Sequence, residues 1–270
     1  MHYKFFAHSD PGRIRQNNED SVSFDEACRV VVLADGMGGY KAGEVASAMA
    51  TSLIQSELVR WLSSGDLSPS SSQLMRAIDI CTTRANDAIL NKALTDPDCF
   101  GMGTTLVVGV FQPSSLVLGH IGDSRCYCWR HGNLRQLTRD HSMLQEQVDA
   151  GVLTMEQAAR APGKNLLTRA LGIKEAMPID IQEVAVQAGD LYLLCSDGLT
   201  EMLSDGDIAQ ILGMDASLER LARTLVAQAN ALGGRDNVTV LLARAYSRSE
   251  RPNLVSKLFG ATLSHATDAK

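Results

Sequence analysis

Residues 30–39, VVVLADGMGG, run from four consecutive large apolar side chains into a single aspartate and then place glycine at three of the last four positions. The run Val30–Ala34 is strand length and mostly β-branched, which predicts a buried strand. Asp35-Gly36 by itself reads as a turn, because glycine takes positive φ freely and aspartate bonds nearby amides. A buried run that ends directly on a carboxylate, followed by backbone bare enough for close approach, points further. The pattern recurs: LGHIGDS ends on Asp123, LYLLCSDG ends on Asp197-Gly198, and GGRDN sets Asp236 just before the strand-like VTVLLARA. Asp205-Gly206 and Gly189-Asp190, in contrast, read as ordinary turn or cap positions.

Outward from these four points the chain alternates short runs and long periodic segments. YKFFAHS, DSVSF, RVVVLAD, TTLVVGVF, LVLGHIGD, RCYCWR, IDIQEVAV, DLYLLCSD and VTVLLARA are strand length and bounded by turn residues. A Gly-Asn turn in CYCWRHGNLRQL predicts a hairpin, so at least part of the sheet is antiparallel. Residues 43–62, with Val45, Met49, Leu53 and Leu58, and residues 74–94, with Leu74, Ile78, Cys81, Ala85 and Ile89, predict two amphipathic helices. Ser204 and Ser217 predict the N-caps of two more. Strands, two helices, strands, two helices and a last strand fit sheets covered by helices on both outer sides. Between Asp140 and Leu171 the texture changes: Thr154 and Gln157 suit a capping box, the apolar stripe is thin, and Pro162-Gly163 ends it, which predicts an excursion from the core. The residues after the final strand carry little periodicity and predict a loosely attached tail.

The chain has 270 residues, 45% of them hydrophobic, and a formal charge of −6 with acids and bases intermixed. That argues for a soluble globular protein and against a nucleic-acid surface, which depends on excess Lys and Arg. No stretch is long and apolar enough for a membrane span, and the opening MHYKFFAHSDPGR lacks the apolar region of a secretory signal, so the expected location is cytoplasmic. The six cysteines are scattered without a CxxC pair. Cys126 and Cys128 share a strand face with no further zinc ligands beside them, which predicts buried thiols.

Four aspartates delivered to one place repel one another, and each raises its neighbours' pKa unless a cation compensates. The arrangement therefore implies divalent metal, and all-oxygen donors suit Mg²⁺ or Mn²⁺. In SDPGRIRQNNEDS, Arg13 and Arg15 precede Glu19 and Asp20; a guanidinium beside a metal cluster suits a phosphate ester, which it grips through two parallel hydrogen bonds. For either arginine alone, neutralising Glu19 and Asp20 at the surface is the plainer reading. His8, His120, His131 and His141 are each isolated by spacing, which favours structural or surface roles.

Taken in order, SDPGRIRQNNEDS, LADGMGG with AGEVAS, GMGTTL, IGDSRCY, LTRDHS, TRALG, CSDGLTE and GGRDNVTV resemble the signature segments of the protein phosphatase 2C family, the metal-dependent PPM Ser/Thr phosphatases, in its bacterial branch. The resemblance spans about Ser9 to Ala243. It implies an α+β fold, a four-layer α-β-β-α sandwich of two antiparallel sheets with a metal centre at one edge. Residues 1–246 would form the catalytic domain, with a flap at about 141–170 that influences substrate choice, and 247–270 a flexible C-terminal tail. The implied reaction is hydrolysis of phosphoserine and phosphothreonine by direct attack of a hydroxide bridging two ions, with two to three Mn²⁺ or Mg²⁺ bound. Asp35 would bridge two metals with the Gly36 carbonyl on one, Asp197 and Asp236 would complete the set, and Asp123 would join Asp197 at a third. Arg15 matches the phosphate-gripping arginine, while Glu19, Asp20 and Asn237 would stand behind the ligands. Met37 replaces a histidine found in some members and cannot supply a proton to the leaving group. The implied partners are phosphoproteins, among them a eukaryotic-type Ser/Thr kinase and its targets, met by a monomer. The alternative is a silent phosphoprotein-binding domain on the same scaffold, whose mark would be missing aspartates. A haloacid-dehalogenase-like phosphatase would need a DxD pair, which Asp35-Gly36-Met37 does not supply.

Overall fold

A computed structural model of the chain describes residues 1–247 apart from 40–41, 66–68, 159–160 and 162–165. The chain opens with β1 (His2–Asp10), β2 (Asp20–Asp25) and β3 (Val30–Met37), followed by α1 (Ala42–Ser64) and α2 (Ser71–Thr95). After a 3-10 turn at Pro97–Cys99 come β4 (Gly103–Thr104), β5 (Leu106–Phe111), β6 (Ser115–Ile121), β7 (Arg125–Arg130) and β8 (Asn133–Gln136). The excursion carries α3 (Met143–Asp149) and α4 (Met155–Ala158), and the chain returns through β9 (Asp180–Ala185), β10 (Leu191–Cys195), α5 (Asp197–Thr200), α6 (Asp205–Leu212), α7 (Leu218–Ala231) and β11 (Val238–Tyr246).

All strand pairs are antiparallel. One sheet has the order β1-β11-β10-β7-β8 and the other β2-β3-β5-β6-β9, with β4 continuing on β3. Period-two alternation then builds three apolar layers. Val31, Leu33, Phe111, Leu118, Tyr192 and Leu241 meet between the sheets. The alternate residues Val30, Val32 and Ala34 turn outward under α1 and α2, and Leu193, Val240 and Leu242 turn outward under α6 and α7. The expected α-β-β-α sandwich is therefore the observed one, with strands buried on both faces.

Three expectations shift by a residue or a role. The buried stripe of α1 is Ala46, Ala50, Ile54 and Leu58, while Val45, Met49 and Leu53 are only half-buried. Small side chains on the sheet-facing side let the helix lie close to β3, so the bulkier residues flank the contact instead of forming it. The β7–β8 turn is His131-Gly132, with Arg130 opposite Asn133; both turn residues have positive φ, 49° and 83°, as a two-residue hairpin loop requires. TTLVVGVF divides at Thr105, whose N–H donates to the Asp35 carbonyl at 2.9 Å between β4 and β5. The other helices start where the sequence placed them: Ser204 and Asp207 form the capping box of α6, and Ser217 caps α7. Thr154 and Gln157 bond reciprocally at 2.8 and 3.2 Å. Beyond Ser247 the expected tail lies outside the described residues, as does Pro162-Gly163.

Candidate metal centre

The aspartates meet at one end of the sandwich because antiparallel strands bring remote sequence positions to a common rim. Asp35 lies near the end of β3 and pairs in register with Asp20 at the start of β2. Asp123 follows β6, Asp197 follows β10 as the first residue of α5, and Asp236 stands just before β11. Ser196 links the two sheets here, donating from Oγ to Asp20 Oδ2 at 2.7 Å while accepting from the Thr239 N–H at 3.0 Å. Asp35, Asp123, Asp197 and Asp236 are all half-buried.

The glycine after Asp35 has a packing reason. A Cβ at Gly36 would stand 2.0 Å from the Gly43 carbonyl oxygen and 2.7 Å from that of Glu19, so β3 passes α1 and the Glu19 strand entry with no room for a side chain. Gly36 N–H donates to the same Glu19 carbonyl at 3.1 Å. The bareness thus serves helix–strand contact beside the carboxylates.

Asn237, expected behind the ligands, holds the arginine loop in place. Its Oδ1 accepts from Glu19 N–H at 2.8 Å, and its Nδ2 donates to the carbonyls of Pro11 and Asn17 at 3.0 and 2.8 Å. That loop presents Arg15, whose Nη2 donates to Asp236 Oδ2 at 2.7 Å. Arg13 plays another part, its backbone N–H bonding the Gly234 carbonyl at 2.7 Å. Met37 is half-buried and carries no proton. Thr105 and Ser124 were not singled out by sequence, yet Thr105 Oγ1 accepts from Asp35 N–H at 2.9 Å and meets Ser124 Oγ at 2.7 Å. Their signal lay in GMGTTL and IGDSRCY, where the eye goes to glycine and aspartate.

Electrostatics give the test of fit for divalent ions. Burial, then repulsion from Asp20, Asp197, Asp123 and Asp236, holds the Asp35 carboxyl well above the usual range. Burial, then Asp123, Glu201, Asp236 and Asp20, does the same to Asp197. Burial, then Asp140, lifts Asp123 to about 7, and burial lifts Asp20 to about 6. The nearby guanidiniums do not offset this: Arg15 is engaged with Asp236, and Arg125, held by Asp140 at 2.7 Å, lowers Asp123 by less than burial and Asp140 raise it. Asp20 Oδ1 is buried without a hydrogen-bond partner. An all-oxygen, mutually repelling set with an unpartnered buried oxygen fits hard divalent cations. Beside it opens a cavity of about 280 Å³, lined by Asp123, Arg125, Leu144, Val148, Asp197 and Glu201 among others.

Two further acids keep the turn and cap positions read from the sequence but also hold side-chain partners, and two histidines isolated in sequence meet in the fold. Asp190 closes the expected turn, its N–H donating to the Gln187 carbonyl at 3.2 Å, and in addition it is 1% exposed and takes the Arg130 guanidinium through two bonds of 2.7 Å. Asp205 accepts from Tyr127 Oη at 3.1 Å. His120 and His141, isolated in sequence, lie with ring centroids 4.4 Å apart, and with Asp180 they bring ligand-type atoms within 4.8 Å of one another. This second gathering shares none of the four aspartates and offers nitrogen as well as oxygen.

The sequence model of the family described as Protein phosphatase 2C matches residues 8–240. The chain belongs to the protein phosphatase 2C family. This phosphatase 2C chain is 39% identical over 251 residues to the serine/threonine phosphatase stp of Listeria welshimeri, an alignment covering 90% of this chain and 95% of that protein. It is 41% identical over 240 residues to the serine/threonine protein phosphatase PstP of Mycobacterium tuberculosis, covering 89% of this chain and 44% of that longer protein. The crystal structure of the Mycobacterium tuberculosis phosphatase superposes with a TM-score of 0.84 at 38% identity, covering 92% of this chain and all of that one. A structure of the PstP catalytic domain described as a complex with two manganese ions gives a TM-score of 0.79 at 38% identity, covering 91% and 99% of the two chains. The reading as a metal-dependent protein phosphatase enzyme stands over that of a silent binding domain.

Proposed function

We propose that this phosphatase 2C chain hydrolyses phosphoserine and phosphothreonine in proteins at the rim where Asp35, Asp123, Asp197 and Asp236 converge. Two to three Mn²⁺ or Mg²⁺ are its cofactors, held by these four carboxylates and the Gly36 carbonyl. When bound, the ions supply Lewis acidity toward the phosphoryl oxygens and a water activated at neutral pH.

The chain's own residues bind and orient. The backbone of Asp35 is fixed by Thr104 and Thr105, which sets where its side chain leaves β3. Arg15 holds Asp236 and, in our reading, transfers its guanidinium fork to the substrate phosphate, stabilising charge on the equatorial oxygens. Glu19, Asp20 and Asn237 keep that loop and the ligands in register. Met37 gives no proton, so another group protonates the leaving oxygen. No step needs a nucleophilic side chain.

We further propose the domain limits 1–246 and 247–270, a flap at about 141–170 that tunes substrate choice, a monomeric cytoplasmic enzyme, and phosphoprotein partners that include a eukaryotic-type Ser/Thr kinase and its targets. In support, the curated relatives carry Ser/Thr phosphatase names, and no helix among the described residues is long and apolar enough to cross a membrane.

The observation that carries the reading is the convergence of four aspartates from four strand ends with too little positive charge to balance them. It is tested by hydrolysis of a phosphothreonine peptide with Mn²⁺ and with chelator. Activity is expected to require the ion and to fall at least about 10³-fold in Asp197→Asn, about 4 kcal/mol of transition-state stabilisation. Turnover in chelator, or a fully active Asp197→Asn enzyme, would remove the proposed centre.

A further inference from the structure

The residue before Asp123 has both of its backbone polar groups held by histidines. Gly122 donates its N–H to His141 Nδ1 at 3.1 Å, and its carbonyl accepts from the His141 backbone N–H at 2.8 Å and from His120 Nε2 at 2.9 Å. Gly122 has φ +101°, and a Cβ there would stand 2.6–2.7 Å from the Thr105 side chain, so the turn into Asp123 has one geometry. A buried peptide group without partners is costly, and here two imidazoles provide them.

His141 is 5% exposed and uses both ring nitrogens. Because Nδ1 accepts, the neutral ring carries its proton on Nε2, which lies 3.0 Å from Asp180 Oδ2. The other oxygen of Asp180 accepts from Arg169 Nη1 at 2.9 Å. The His141 carbonyl accepts from Thr168 N–H at 2.9 Å, and Ser142 bridges to Leu167. The His141 imidazole therefore joins the Asp123 turn to Asp180 at the start of β9 and, through Asp180, to Arg169, while the backbone of His141 and Ser142 ties the two ends of the 141–170 segment together.

Two imidazoles and a carboxylate would also be a donor set for zinc. Both Nε2 atoms are already committed as donors, and the Arg169 guanidinium already faces Asp180, so the cluster is a hydrogen-bonded bracket. Burial, then the neighbouring His141, keeps the His120 ring neutral, in agreement with its donation to a carbonyl.

We propose that His141 is a positioning residue that couples the Asp123 turn to the foot of the 141–170 segment, so that ion binding through Asp123 and the order of residues 141–144 and 166–171 rise together. This rests on the reading of Asp123 as an ion ligand. Coupling of this kind is reciprocal: a site that orders the foot when filled is itself favoured by an ordered foot.

The test is hydrogen exchange of peptides covering 141–144 and 166–171 in the full chain, with and without saturating Mn²⁺, beside Mn²⁺ stoichiometry from titration calorimetry. In wild type, Mn²⁺ is expected to slow exchange there about tenfold. In Asp123→Asn the slowing disappears and one fewer ion binds. His141→Asn keeps an acceptor near Gly122 but is too short for Asp180; it still binds Mn²⁺, yet the slowing disappears. Asp180→Ala breaks the same link from a side chain 58% exposed, and the same loss is expected even if His141→Asn fails to fold. A merely structural role would raise exchange equally with and without Mn²⁺. Normal slowing in His141→Asn or in Asp180→Ala, with slowing lost in Asp123→Asn, overturns the coupling and leaves the ligand reading intact. Unchanged stoichiometry and slowing in Asp123→Asn overturns the ligand reading, and the inference with it; no slowing in wild type overturns the coupling outright.

Discussion

Arg15 lies 2.7 Å from Asp236 with half its side chain facing solvent, a placement that lets one guanidinium exchange a carboxylate for an incoming phosphate. Replacing it by alanine is expected to lower kcat/KM toward a phosphothreonine peptide about 10²-fold, about 2.7 kcal/mol. Arg15→Lys should recover little of this, because an ammonium keeps the charge and loses the two parallel donors. Steady-state kinetics decide it: full recovery by lysine would mean that charge alone matters, and an equal loss in Arg13→Ala would mean that the loop, not the fork, is being read. The choice between the two arginines was open from the residues alone, since both follow the same Pro-Gly turn. In three dimensions Asn237 ties down the loop, with Arg15 bonded to Asp236 and the Arg13 N–H bonded to Gly234, which supports the proposed choice of Arg15. The aspartates were legible because each adjoins a run that must be buried, Asp35, Asp123 and Asp197 after it and Asp236 before it. Thr105, Ser124 and Ser196 were not, because small hydroxyls that bond backbone look the same in sequence whether they hold a catalytic strand or an ordinary turn.

At the scale of elements, the crossing of β3 and α1 sets where Asp35 stands, and Gly36 is the contact. A methyl there meets backbone carbonyls at 2.0 and 2.7 Å, atoms that cannot rotate away. Gly36→Ala is expected to destabilise the protein by about 3 kcal/mol, or about 6–12 °C in Tm, through displacement of α1. Gly206→Ala is the control: it lies in the first turn of α6 with only ordinary contact, 3.6 Å to Ser204 Oγ, and should be neutral or stabilising by about 0.5 kcal/mol. Denaturant unfolding of both variants checks the contrast, and equal midpoints would mean that the β3–α1 contact yields freely. Capping residues and period-two runs made most element boundaries readable, since those signals act locally. The face of α1 was misjudged because periodicity weighs side-chain size, whereas the sheet selected Ala46 and Ala50 for closeness.

The molecule as a whole joins two sheets whose pairing the strand order alone does not state. Strand-length runs and four helices implied the layers; which strands are neighbours, and hence that His120 would meet His141 and Asp180, depends on β6 pairing with β9 and on the chain returning at Asp140, contacts between residues remote in sequence. That meeting gives the fold an acid sensitivity. His120 is 3% exposed and its pKa is pushed down from 6.5 to about 4, by burial first and then by His141, against the weaker pull of Asp140 and Asp180; Arg169 also faces the cluster. A depressed histidine pKa means that the unfolded chain binds the proton more readily, so its contribution is fully present above about pH 6.5 and is lost as pH falls toward 4. Between pH 7 and 5 the loss from this one ring is about 2 kcal/mol. Denaturant unfolding at the two pH values, for wild type and His120→Gln both in chelator so that ion release does not contribute, isolates it. The variant should be less stable than wild type at pH 7 and should lose about 2 kcal/mol less on acidification. Parallel losses in the two proteins would mean that the His120 pKa is the same folded and unfolded, and a smaller loss in wild type than in the variant would mean that the Gly122 carbonyl is held by an imidazolium and the neutral bracket around His141 is misassigned.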